Sequence, residues 1–185
     1  MSSERKFRGT FPVGRVAKKG EKRGSGWEKQ LLLVRKAPQY LPNSEYKVGH
    51  YTYITDLLYR RVCSVSGYLR SDKVDRHTSQ QTAVGKLVYR TGDAGGHLIA
   101  CQFSGSGHAI NMVPMNSVVN TSGAWGSMER EFAKHLRAGR LVRVMITMHY
   151  TGASLRPSGF VVKCTTSCPR GTKVTVYRVD NPPPR

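Results

Sequence analysis

The sequence predicts an α+β fold built on an antiparallel β-sheet, on three observations. From Val142 to Tyr150 the apolar residues Val142, Val144, Ile146, Met148 and Tyr150 fall on one face at a period of two, with Arg143, Thr147 and His149 on the other. Two more strand-like runs, Gly159 to Thr165 and Lys173 to Val179, follow across short Gly/Pro/Ser connections, the pattern of an antiparallel meander. One stretch alone has clear helical periodicity: Trp125, Met128, Phe132 and Leu136 recur at three- and four-residue intervals.

The elements read in chain order as follows. Residues 1–30 are rich in Gly, Lys, Arg and Ser without hydrophobic periodicity, and burial cannot offset their ordering entropy, so they are expected to be a flexible basic arm. A single domain is expected over 31–180, with order beginning near Trp27 to Val34 and a loop marked by Pro38 and Pro42. Tyr51 to Tyr59 and Arg61 to Leu69 read as short strands, with Gly67 as a bulge candidate. Ser71 to Gln81 is polar and reads as a loop, followed by a strand over Lys86 to Arg90 and a glycine turn over Thr91 to Gly96. The helix should take its N-cap from Thr121 or Ser122 and end at Gly139 as C′. Residues 181–185, Asn-Pro-Pro-Pro-Arg, read as a terminal tail.

Composition narrows the class of partner. The chain of 185 residues carries 30 Lys+Arg against 11 Asp+Glu, a formal net charge of +19 and a pI near 10.3. Such a charge attracts polyanions, and nucleic acid leads because its phosphates release counterions to Lys and Arg. Residues 1–50 hold twelve Lys+Arg and four Glu, so a net +11 remains in the rest and the charge is no detachable tail. The longest apolar run, Leu31 to Val34, is too short to cross a bilayer, and membrane insertion is not expected. The N-terminus lacks the apolar stretch of a conventional signal peptide. Of four cysteines, Cys164 and Cys168 bracket a short interval where either a bridge or free thiols would fit, and no second Cys/His pair has zinc spacing.

The chemistry concentrates between Asp93 and Glu129. His97 follows two glycines, which let backbone approach a large ligand closely, and a neutral imidazole can take a proton from water near neutral pH. Asn111, Asn116 and Asn120 follow at five- and four-residue intervals. Asn120 stands just before the helix, where an amide oxygen suits a hard cation such as magnesium that keeps several waters. Glu129 lies on the packed side of the helical stripe, where a carboxylate needs a partner, such as an arginine, or a task.

The segments Asp93-Ala-Gly-Gly-His97-Leu-Ile-Ala, Ile110-Asn111-Met-Val-Pro114-Met-Asn, Asn120, and Gly123-Ala-Trp125 to Glu129 together resemble the DNA/RNA non-specific endonucleases. Within these ββα-metal nucleases the branch of type VII secretion effectors and bacterial toxin domains is the most similar. Arg76 to Gln81 and Arg156 to Phe160 also resemble it, and the likeness runs from about Tyr53 to Val162. The resemblance implies a ββα-metal element formed by the strands around His97 and the helix after Asn120. It implies His97 as general base, Asn120 as direct ligand of Mg2+ (Mn2+ as the alternative), Asn111 as a residue orienting the site, and Glu129 as a carboxylate positioning metal-bound water. Arg76 is the candidate phosphate clamp. The chain departs from the usual Asp-Arg-Gly-His by lacking the arginine, has Met115 where glutamine is common, and has an Asn120–Glu129 interval one residue longer.

The expected function is therefore metal-dependent hydrolysis of phosphodiester bonds in DNA, with RNA as a second substrate, at little sequence preference. Backbone contacts suffice for such cleavage. A broad nuclease endangers the cell that makes it, so export or delivery as a toxin by a specialised secretion system and an acidic immunity protein are expected with it. The competing reading is a basic, non-catalytic nucleic-acid-binding or architectural protein on the same scaffold, separated by whether loss of His97 or Asn120 abolishes function while binding survives.

Overall fold

The computed structural model describes residues 33–34, 37–38, 40–72, 78–87 and 91–184. Strands β1 (Leu33–Val34) and β2 (Ala37–Pro38) pair with each other, and the expected basic arm, residues 1–30, lies outside the described residues. Next come β3 (Glu45–Val48), β4 (Tyr51–Thr55) and β5 (Val62–Tyr68), then helix α1 (Thr78–Gly85). Strands β6 (Asp93–His97) and β7 (Met112–Asn116) flank two 3-10 turns, Cys101–Phe103 and Ala109–Asn111. Helices α2 (Ser117–Thr121) and α3 (Ala124–Arg137) lead into β8 (Leu141–Tyr150), β9 (Pro157–Cys168) and β10 (Gly171–Asp180).

The main sheet has six antiparallel strands in the order β10-β9-β8-β5-β4-β3. The period-two pattern of β8 has the physical result expected of it: Val142, Val144, Ile146 and Met148 are buried while Leu141, Arg143 and Met145 face outward. Tyr53, Val65 and Val162 extend the buried face across the sheet, and α3 lies over it with Trp125, Met128 and Phe132 turned inward. The Trp125 ring centroid is 4.8 Å from that of Phe160, and Phe132 meets Tyr177 edge-on at 5.8 Å. Strands β6 and β7 form a separate antiparallel pair that shares this core through Val113 and Met115. The α+β class and the antiparallel meander are as expected.

Several local expectations are corrected. The glycines of Asp93-Ala-Gly-Gly-His97 are not a turn but the body of β6; only Gly92, outside the strand, has a left-handed φ of 90°. Their smallness serves contact: a Cβ on Gly95 would run into the Gln81 carbonyl of α1, and one on Gly96 would lie 2.8 Å from Met115 Cβ. Helix α1 occupies part of the segment expected to be a loop, and Lys86 and Leu87 form a turn at its end rather than a strand, with 88–90 outside the described residues. No apolar stripe announces α1, because only its last residues, Val84 and Gly85, are buried.

Gly67 lies in register with Tyr51, and the bulge falls between Ile54 and Thr55 instead. A Cβ at Gly67 would sit 2.6 Å from the Tyr51 ring. Neither Thr121 nor Ser122 caps α3. The Asn116 amide oxygen accepts from Val118 N at 2.9 Å and Val119 N at 3.4 Å, starting a short helix one turn early, and Gly123 becomes the cap position of α3 without a side-chain bond. Gly139, with φ 70°, ends α3 as expected. Cys164 and Cys168 both lie on β9, where four residues of extended chain span about 13 Å, beyond the reach of a disulfide. All four thiols are free. Among the described residues no helix is long and apolar enough to cross a membrane.

Candidate active site

The β6–β7 pair is held from below by one buried ion pair. Asp93 opens β6 with a fully buried side chain, and Arg156 meets it at 2.7 Å (Nε to Oδ2) and 2.9 Å (Nη2 to Oδ1). The same guanidinium donates to the carbonyls of Asn181 at 2.6 Å and Pro182 at 2.8 Å. Asn181 is 2% exposed, and its amide donates to Pro114 O and Pro157 O while its Oδ1 accepts from Asn116 N. The first residue of the expected tail is thus a buried fastener. It ties β7 and the cap of α2 to β9.

His97 ends β6, 9% exposed, in register with Met112. The following loop is fixed by Asn111, which is fully buried in the second 3-10 turn. Its amide nitrogen donates to Ile99 O at 2.8 Å and Ser106 O at 2.7 Å, and its oxygen accepts from Ile99 N at 3.0 Å. Leu98 N completes the lock on Asn111 O at 2.8 Å. The Asn111 side chain is thus committed to backbone groups and sets the path of the chain leaving His97.

His97, Asn120 and Glu129 line one open cleft of about 400 Å³ together with Gln81, Gln102 and Arg130. Asn120 comes from α2, half-buried, rather than from the loop expected before the helix. Gly126 lets this happen, because a Cβ there would collide with the Thr121 carbonyl and push α2 off α3. Glu129 is half-buried on α3, and Trp125 donates its indole N–H to Oε1 at 3.2 Å. That indole is anchored in the sheet core, with its ring against Phe160. Arg76 lies outside the described residues.

Sequence reasoning missed Arg130, which is exposed on the cleft wall with Nη2 donating to Ser127 Oγ at 2.7 Å. The signal was its place next to Glu129 on α3. It also missed the pairing of Asp93 with Arg156, which are 63 positions apart. Asn120, Glu129, Gln81 and Gln102 give the cleft hard oxygen donors, which suit Mg2+ or Mn2+. No group of three or more His, Cys, Asp and Glu that could hold a metal ion occurs among the described residues.

A family model described as DNA/RNA non-specific endonuclease matches residues 42–167. The type VII secretion system protein EssD of Staphylococcus aureus (strain USA300) is 34% identical over 94 residues, 48% of this chain and 15% of EssD. The chain thus spans a small part of the length of the curated relatives it matches. Among solved structures, Sda1 nuclease with bound zinc ion is similar at a TM-score of 0.56 and 17% identity, over 73% of this chain and 75% of that one. A chain of the EndoG/EndoGI complex gives 0.55 and 15%, over 78% and 76%. At these identities the likeness is one of fold.

Proposed function

The chain belongs to the DNA/RNA non-specific endonuclease family, and from that premise we propose that His97 is its general base and Asn120 the direct ligand of a catalytic divalent cation. The observation that carries the proposal is the convergence of His97, Asn120 and Glu129, from three different elements, on one open cleft. Magnesium fits the oxygen donors, with manganese as the alternative, and would supply Lewis-acid neutralisation of charge on the phosphate and the leaving 3′-oxygen.

The chain's own residues account for the rest. His97 takes the proton of the attacking water, and its position at a strand end braced by Asn111 keeps the imidazole directed at the cleft. Glu129, steadied by the Trp125 indole, orients water by accepting its hydrogens. Arg130 binds a non-bridging phosphate oxygen, a cationic contact that the Asp93-Ala-Gly-Gly-His97 segment, without an arginine, does not supply. Arg76 remains a second phosphate clamp. Contacts made to phosphate rather than to base edges make the cleavage indifferent to sequence, on DNA and on RNA.

The similarity to part of a type VII secretion system protein supports delivery as an effector toxin. The +19 charge supports an acidic immunity protein as the partner that holds the enzyme inactive. The test of the chemistry is degradation of plasmid DNA and of RNA by purified protein with Mg2+, with EDTA, and with H97A, N120A and E129Q. Cleavage should require the metal, vanish in H97A and N120A, and fall in E129Q while DNA binding persists. Full cleavage by H97A would overturn the assignment of the base.

A further inference from the structure

Cys101 begins the first 3-10 turn four residues after His97, is 3% exposed, and lies on the cleft wall. Its Sγ is 3.5 Å from His97 Nε2. We infer that Cys101 is the positioning residue of the general base, its sulfur accepting the Nε2–H of His97 and so directing proton uptake to Nδ1. The inference rests on the reading of His97 as base given above.

Two polarities are open to a thiol beside a neutral imidazole, which has one donor and one acceptor nitrogen. If the thiol donated to Nε2, that lone pair would be engaged and Nδ1 would carry the hydrogen, so the ring would have no basic nitrogen for a water. With Nε2–H donating to sulfur, the lone pair belongs to Nδ1 and the base is in its working tautomer. When Nδ1 takes the proton of the attacking water, the ring becomes an imidazolium, and its Nε2–H bond to sulfur becomes charge-assisted. The bond therefore strengthens between ground state and transition state, and its contribution belongs in kcat rather than KM.

The placement is not left to a mobile loop. Ile99, midway between the two residues, is bonded on both its N–H and its carbonyl to the Asn111 side chain. Phe103 N and Gly105 N both close on Ala100 O, at 2.9 and 3.1 Å, and Ser104 N closes on Cys101 O at 3.2 Å. These bonds fix the backbone at Cys101 relative to that at His97, so the sulfur meets the ring at a set position.

The experiment compares Cys101→Val, which fills the space without an acceptor, Cys101→Ala, and Cys101→Ser, which keeps one, in the full chain. Steady-state DNA cleavage with Mg2+ and melting temperature are read for each, alongside nitrogen-15 imidazole shifts of His97 in the metal-free protein. The expected result is a kcat about tenfold or more lower in the Val and Ala variants, the scale of losing an outer partner of a catalytic imidazole. KM and melting temperature should stay near wild type, and Ser should recover a larger share of kcat. The wild-type ring should be protonated on Nε2. Wild-type kcat in Cys101→Val, or a ring protonated on Nδ1, overturns the inference. So does a common loss of kcat and melting temperature in Val and Ser alike, which would make the role one of packing. Failure of the base assignment itself would show separately, as cleavage surviving in H97A.

Discussion

Asp93→Ala should be among the most damaging single substitutions in this protein, although the residue never faces the cleft. Removing the carboxylate leaves the Arg156 guanidinium with a side chain only 7% exposed and two of its strongest acceptors gone. Breaking a buried pair from one side costs about 3–5 kcal/mol, because an uncompensated charge stays behind. Arg156 keeps the carbonyls of Asn181 and Pro182, so the lower half of that range is the better expectation here. For a chain of this size about 3 kcal/mol corresponds to a melting temperature lower by roughly 6–12 °C. Urea denaturation and calorimetry read the loss directly, and the double variant with Arg156→Met should recover part of it by removing the stranded charge. DNA cleavage at a temperature where the variant is folded should also fall, because Asp93 and His97 are the two ends of one five-residue strand. A midpoint within about 0.5 kcal/mol of wild type, the range of ordinary surface substitutions, would refute the reasoning that this pair fixes β6.

Asn111→Ala should strand the backbone groups of Ile99 and Ser106 in a fully buried site. A loss of about 2–4 kcal/mol by urea midpoint is expected at 1–3 kcal/mol per unpaired group with partial relaxation, together with a lower kcat that excess Mg2+ does not restore. Gly95→Ala should destabilise by about 1–3 kcal/mol or more as overpacking, since the new methyl meets the Gln81 carbonyl of α1; an unchanged melting temperature would show that α1 yields freely. Alkaline pH should unfold the protein cooperatively. Burial pushes the Tyr51 phenol up to about 12 from the ordinary 10.0, and raises Tyr40, Tyr53 and Tyr150 as well. Raised folded-state values mean that this stability is whole below pH 10 and is lost as pH climbs through 10 toward 12 and above, which far-UV circular dichroism against pH will follow.

What the sequence reveals, and what it hides, divides along the range of the interaction responsible. Strand β8 and helix α3 are legible because their faces are set by neighbours two, three or four residues away, and the period records the burial directly. Helix α1 is hidden because it docks through its last turn and through the two glycines that meet there, Gly85 and Gly95, with a Cβ on Gly85 falling 2.9 Å from Gly95 N. Read locally, Gly-Gly before His97 signals a turn; it is the partner helix, distant in sequence, that makes the same glycines a strand. The site divides in the same way. His97, Asn120 and Glu129 can be picked out as chemically apt residue types, and the structure gathers all three on one cleft. The device that brings them together cannot be read locally, since it runs from Asp93 through Arg156 to Asn181 and back to Asn116, across separations of up to 65 positions. Asn116 shows the consequence most plainly. By sequence it is one of three similar asparagines, yet its oxygen caps α2, its backbone N–H is held by Asn181, and its position in β7 faces Asp93. The cation ligand proposed at Asn120 is thereby placed, four residues on, by the same fastener that fixes the strand of the proposed base, His97.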